Sequence, residues 1–329
     1  MKKILKIFNI FILVVLALFL LISTIFIRFN ISKENLEDDY FLEHSNYIDV
    51  TIKDLAENDI TINIHYQDLG ENNNPVVVLL HGTFSSSHTF INWSKKLVSE
   101  GYRVIIPDLP YFGLSEGFAD NITSYRRSTS VIKYILDDLA INNIHIAGNS
   151  LGGAIAWYFT SEYQEMVNSL TLIDSVYPIE TEDSQFFLNR IRKFSALSDL
   201  IALYTPKFLV SRILKTAYGD PESLSNDTIT RYYELLRKSG TRQNLLKIKQ
   251  EKESVDAYID KIESITVPTF IMWGEKDSWI PVDTVSLFEE SMNIPEENIF
   301  IYPDLGHVPM EEAPQITIED YITILNSNN

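Results

Sequence analysis

Three side chains in this sequence have the types and order that acyl transfer requires: Ser150 in GNSLG, Asp277 in GEKDSW and His307 in DLGHVP. A serine hydroxyl is a weak nucleophile at neutral pH. It needs an imidazole to take its proton and a carboxylate to fix the tautomer of that imidazole and balance its charge. Ser150 follows the short apolar run Asn143 to Ala147 and precedes a stretch rich in small residues, Gly152, Gly153, Ala154 and Ala156. That is a strand, a tight turn and a helix packed closely on a sheet, the setting in which a serine is held on a strained elbow. Glycines at 148 and 152 are then a steric requirement, because side chains there would meet the neighbouring strand or helix.

Asp277 and His307 each follow a short apolar run, Val267 to Trp273 and Asn298 to Tyr302. Both are thereby placed on loops at the carboxyl ends of strands, where open α/β sheets build their sites. Taken singly each is ambiguous: Asp277 also suits the cap of a helix starting near Pro281, and Glu275 is an alternative acid. The order Ser, Asp, His is the one expected of α/β-hydrolases.

The oxyanion of a tetrahedral intermediate needs two backbone N–H donors. The residue after the nucleophile, Leu151, supplies one from the start of a helix, whose dipole favours negative charge. The loop HGTFSSSH after Leu80 supplies the other, from Thr83 with Phe84 as the alternative, while His81 and Gly82 shape that loop. His88 is placed on the first turn of a helix, in a structural or substrate-facing role.

The elements that must carry these residues can be read from periodicity. Tyr47 to Leu55 and Ile60 to Tyr66 alternate apolar and polar residues around Glu57-Asn58-Asp59, as an antiparallel hairpin at a sheet edge does. The apolar runs Pro75–Leu80, Tyr102–Pro107, Ile144–Ala147, Leu170–Asp174, Val267–Trp273 and Asn298–Tyr302 then alternate with helical patterns at Thr89–Ser99, Ser124–Leu139, Leu151–Glu162, Thr284–Met292 and Gln315–Leu325. The alternation implies a mostly parallel sheet of eight strands covered on both faces. From 178 to 266 it stops. Phe186, Phe187, Ile191 and Phe194, then Ile229, Tyr232, Tyr233 and Leu236, suggest a helical insertion between two strands, with Gly240 as a helix C-cap. The expected organisation is 1–30 anchor or signal sequence, 31–46 polar connection, 47–177 and 267–329 the two parts of the α/β core, and 178–266 the insertion.

At 329 residues and 45% hydrophobic content there is ample material for one large core. A net charge of −18 argues against nucleic acid as a partner. The absence of cysteine excludes disulfides, thiolate metal sites and a cysteine nucleophile. No metal-ligand cluster and no dinucleotide glycine fingerprint stand out, so no cofactor or metal is expected. His44 and His65, on the connection and the edge hairpin, are expected at the surface.

Lys2, Lys3 and Lys6 precede an apolar run from Ile7 to Ile27 interrupted only by Asn9, Ser23 and Thr24. As a helix it is long enough to cross a membrane, and it lacks the small-residue cleavage site of a signal peptide. Lysines before the span and Glu34, Glu37, Asp38 and Asp39 after it place the N-terminus in the cytoplasm and the bulk of the chain outside. Secretion after cleavage is the alternative.

With these motifs on the page, the chain resembles the α/β-hydrolase fold family of esterases, lipases, epoxide hydrolases, haloalkane dehalogenases and prolyl aminopeptidases. The matching stretches are LLHGTFSSSHTF, PDLPYFGLS, IAGNSLGG, TFIMWGEKDSWIP and PDLGHVPMEEAP. The resemblance implies that the insertion is a helical cap and that Asp108, Gly113 and Ser115 support the site without reacting. A serine at the elbow, where dehalogenases and epoxide hydrolases carry aspartate, implies an acyl-enzyme and a carboxylic ester, amide or thioester substrate. The expectation is a membrane-anchored hydrolase of small-molecule esters. Peptidase, thioesterase, acyltransferase or carbon-carbon bond hydrolase chemistry on the same residues is the alternative, and a non-catalytic binding protein is a third reading.

Overall fold

The computed structural model describes residues 2–179, 202–251 and 253–327. Helix α1 (Lys2–Phe26) and α2 (Lys33–Tyr40) lead into β1 (Ser45–Lys53) and β2 (Asp59–Leu69). Then come β3 (Val76–Leu80), α3 (Ile91–Ser99), β4 (Arg103–Pro107), β5 (Ile122–Thr123), α4 (Tyr125–Asp138), β6 (Ile144–Asn149), α5 (Leu151–Glu162) and β7 (Val167–Ile173). The inserted segment contains α6 (Lys207–Ala217), α7 (Asn226–Leu236), α8 (Thr241–Lys247) and β8 (Lys249–Gln250), followed by α9 (Val255–Glu263). The chain closes with β9 (Thr269–Gly274), α10 (Thr284–Met292), β10 (Ile299–Tyr302), α11 (Pro309–Glu312) and α12 (Pro314–Asn326).

Eight strands form one sheet in the order β1-β2-β4-β3-β6-β7-β9-β10. β1 and β2 pair antiparallel, as do β2 and β4, and the remaining pairs are parallel. The central strands are covered on both faces, which is why they read as unbroken apolar runs: VVVLL of β3 is buried throughout. One face packs α4, α5, α9 and α10, through Ile135, Trp157, Ile262 and Phe288. The other packs α3, α12 and the inserted α6 and α7, through Trp93, Tyr321, Leu214 and Tyr232. Trp93 stacks on Tyr321 with ring centres 4.8 Å apart.

Four sequence expectations change. The polar connection at 31–46 contains α2, capped by Ser32 and seated by Leu36, which is buried. The segment 178–266, read as wholly helical, holds β8, which pairs with β5 in a second small sheet, and its last helix α9 packs on α5 as part of the core layer. Gly240, with φ +87°, starts α8 and is not the C-cap of α7. His65 is fully buried, because β2 is flanked by β1 and β4 and, of the hairpin, β1 alone is at an edge. The pattern Phe186 to Phe194 lies outside the described residues.

Candidate active site

Strand β6 delivers Ser150 at its carboxyl end in a conformation that L-residues avoid, φ 55° and ψ −118°. Such a backbone costs on the order of 1–3 kcal/mol and persists only where its surroundings enforce it. The enforcement is visible: the Ser150 amide donates to Ile173 O at 3.0 Å, and Leu151 opens α5 immediately after. A Cβ on Gly148 would lie 2.2 Å from Gly152 O, and one on Gly152 2.1 Å from Leu80 O. The two glycines are therefore what lets α5 start against β3 and β6.

On the loop after β9, Asp277 is 5% exposed and meets His307, from the loop after β10, at 2.7 Å between Oδ2 and Nδ1. Its other oxygen accepts the amides of Trp279 and Ile280. With Nδ1–H turned to the carboxylate, Nε2 is left as the basic nitrogen. The alternative acid Glu275 is exposed. His307 is pinned from both sides of its peptide: its amide donates to Ala217 O at 2.7 Å, and its carbonyl accepts from Asn149 Nδ2 at 2.9 Å. Asn149 precedes Ser150, so this bond joins the histidine loop to the elbow. Ser150 Oγ itself makes no hydrogen bond among the described residues, to His307 or to any other group; such bonds often tighten only when substrate is bound.

The loop after β3 abuts the elbow, where a Cβ on Gly82 would come within 3.0 Å of Ser150 Cβ. His81 sets that loop: its Nδ1–H donates to Gly82 O and its Nε2 accepts from the Leu109 amide. Phe84 has φ 64°. Among the described residues the amides of Thr83, Phe84 and Leu151 donate to no protein acceptor.

Behind this loop Asp108 accepts the amides of Ser87 and Leu114 and pairs with His65 at 2.8 Å. Burial alone would raise its pKa; the positive charge available at His65 and these hydrogen bonds outweigh it and hold the carboxyl well below the usual range. Gly113 (φ +51°) packs so closely that a Cβ would overlap the Asp108 carboxylate.

His88 lies in the turn Ser87–Phe90 and is buried beside Tyr40, not in the triad. Burial, with Arg231 nearby, lowers its pKa to about 4 against the pull of Asp108. The unfolded chain takes up this proton as the pH falls through about 6.5, while the folded chain resists until about 4. Stability present above that window is lost across it, by about 3 kcal/mol for this group. Urea unfolding of His88→Gln at pH 7.5 and 4.5 is expected to show a difference smaller than wild type by about 2–3 kcal/mol. An unchanged difference would mean the buried imidazole is not the source.

Sequence reasoning missed Asp174, at the end of β7. Its Oδ1 accepts from Gly274 N at 3.0 Å, and its carboxyl lies within 4.8 Å of the ligand atoms of Asp277 and His307. Full burial, then the charge of Asp277, raises its pKa well above the ordinary carboxylate value. Asp174, Asp277 and His307 are the one trio among the described residues spaced to hold a metal ion. Three N–H donors already occupy Asp277. The rule that pointed to Asp277, an acid ending a parallel strand, applies equally to TLID at 171–174.

Two apolar cavities flank the elbow. One, of about 120 Å³, is lined by Asn149, Val210, Ile213, Leu214, Trp279 and His307. The other, of about 190 Å³, is lined by Leu109, Phe112, Leu151, Ile155, Leu245 and Ile248. Thr83 and Phe84 border both.

A parallel sheet with an elbow serine, a strand-end acid and histidine, and a helical insertion over the carboxyl ends defines a hydrolase of the α/β class. The chain belongs to the alpha/beta hydrolase fold family, whose sequence model matches residues 75–314. It is 27% identical over 290 residues to Lipase 1 of Psychrobacter immobilis, covering 84% of each chain. It is 28% identical over 284 residues to a 2-hydroxy-6-oxononadienedioate/2-hydroxy-6-oxononatrienedioate hydrolase of a Pseudomonas species, covering 80% of this chain and 90% of that one. In fold it is similar to a bacterial membrane phospholipase A, with TM-score 0.67, 19% identity and 99% coverage of both chains.

Proposed function

We propose that this protein hydrolyses carboxylic esters through an acyl-enzyme on Ser150. The observation that carries the reading is the Asp277–His307 pair tied through Asn149 to a strained serine that lies beside unpaired amides. His307 Nε2 takes the Ser150 proton as Oγ bonds to the ester carbonyl carbon, and the carbonyl π pair moves onto oxygen. The amides of Leu151 and Thr83 hold that oxyanion. Collapse re-forms the carbonyl and breaks the bond to the alkoxy oxygen, which leaves with the proton from His307. Water, deprotonated by the same nitrogen, then attacks the acyl carbon and releases the acid, returning the proton to Ser150. The chain's own residues supply every proton carrier in this sequence.

Helix α1 is about 37 Å long at 1.5 Å per residue and is exposed along its apolar length. We read it as an uncleaved anchor with a cytoplasmic N-terminus and the catalytic domain on the other side. The dienedioate hydrolase relatives suggest carbon-carbon bond hydrolysis as a second reading. The described lining of both cavities carries no lysine or arginine to pair with the two carboxylates that such a substrate name implies, which favours the ester.

The test is a panel of p-nitrophenyl esters of increasing chain length beside amino-acid naphthylamides. Turnover of the esters, improving with chain length, is expected; turnover of the naphthylamides alone would replace the esterase reading with a peptidase.

A further inference from the structure

Helix α6, KFLVSRILKTA, has two apolar faces. Val210, Leu214 and Ala217, at spacings of four and three, are buried in the core. On the outer side Phe208, Leu209 and Ile213 are 63%, 41% and 45% exposed. The helix carries three basic residues, Lys207, Arg212 and Lys215, and no acidic one, in a chain of net charge −18. An exposed apolar stripe flanked by cations is the composition of a helix that lies in the plane of a membrane whose lipids are anionic.

The place of this face relative to α1 is set by direct bonds. Ser23 Oγ and Tyr204 OH are 2.8 Å apart, Ile27 bridges Tyr204, and the Arg28 amide donates to Leu203 O at 2.8 Å. The ring of Phe26, the last residue of α1, lies 6.1 Å from that of Phe208. Further on, Arg237 donates to Phe29 O and Arg242 to Arg28 O and Asn30 Oδ1. The chain leaving α1 is thus fastened to the cap without slack, and the outer face of α6 continues the apolar surface of α1. The inner face leads to the chemistry: Leu214 lines the cavity that contains His307, the exposed Ile213 borders the same cavity from the outer side, and Ala217 O accepts the His307 amide.

From this continuity we propose that α6 docks on the surface of the same bilayer that α1 enters, and that the substrate is a long-chain lipid ester whose acyl chain passes from that bilayer by way of Ile213 into the His307 cavity. The proposal rests on the readings of α1 as an anchor and of the site as an esterase.

The chain has no cysteine, so single cysteines can carry a nitroxide label. Full-length Leu209→Cys, labelled and reconstituted into phosphatidylcholine vesicles with about one-third phosphatidylglycerol, is compared with Asn73→Cys, exposed at the opposite ends of the strands. The label at 209 is expected to be relaxed several-fold more by oxygen than by an aqueous nickel chelate, and the label at 73 the reverse. Equal behaviour at both sites overturns the docking, as does shielding of 209 from both agents, which would mean that a second copy covers α6. In a second arm, the double variant Phe208→Asp/Leu209→Asp, whose residues line neither cavity, is expected to keep soluble short-ester turnover within about twofold. It should lose about tenfold or more on a long-chain ester presented in the vesicles. No loss on vesicles, or equal losses on both substrates, overturns the route. Should wild type cleave no ester at all, the esterase reading and this route fail, while the label at 209 still decides the docking.

Discussion

Ser150→Ala is expected to reduce ester turnover by about 10⁴-fold or more, since removing a nucleophile leaves only binding and oxyanion stabilisation. The fold should be little affected. Ser150 Oγ makes no hydrogen bond among the described residues, so its deletion orphans no partner. The φ of 55° is as unfavourable for alanine as for serine. The thermal midpoint should stay within a few degrees of wild type while a fluorophosphonate probe ceases to label. More than about a tenth of wild-type turnover in a folded Ser150→Ala protein would assign the chemistry to another group.

Asp277→Asn is the second large effect, expected to lower turnover by about 10⁴-fold with the structure retained. Asp277 presents two faces: one oxygen takes the amides of Trp279 and Ile280, the other the Nδ1–H of His307. An asparagine fits this pattern only with its carbonyl toward the two amides and its NH₂ toward the imidazole. Nδ1 then accepts, the proton moves to Nε2, and the nitrogen turned away from the carboxylate can no longer act as base. Glu275→Gln, at an exposed position, should leave the rate within about twofold of wild type. Reversal of these two results would make Glu275 the acid.

The sheet and the residues of the candidate site were legible because short-range rules bear on them. Five buried strands and the edge strand β10 gave apolar runs, and Ser150, Asp277 and His307 each follow one of these six. The glycines of the elbow are required by overlaps with backbone only 2.1–2.2 Å away, a local constraint that leaves its mark on sequence. What escaped depends on partners far along the chain. Helix α2 offers only Leu36 as a buried residue, so no apolar stripe announces it; Ser32 caps it and Tyr40 reaches Glu234. The burial of His65 follows from Asp108, 43 positions later. β8 is two exposed residues whose register comes from β5. Asp174 was assigned only to the strand, although the acid of one strand end approaches the acid of another across the sheet.

Acylation of Ser150 is open to direct observation by mass. Protein mixed with a p-nitrophenyl ester, quenched in acid within milliseconds and digested should show one acyl group on the peptide containing Ser150, formed with the burst of p-nitrophenol and absent from Ser150→Ala. Turnover accompanied by no such adduct, even under conditions that slow deacylation, or an adduct on a different residue, would contradict covalent catalysis at this serine.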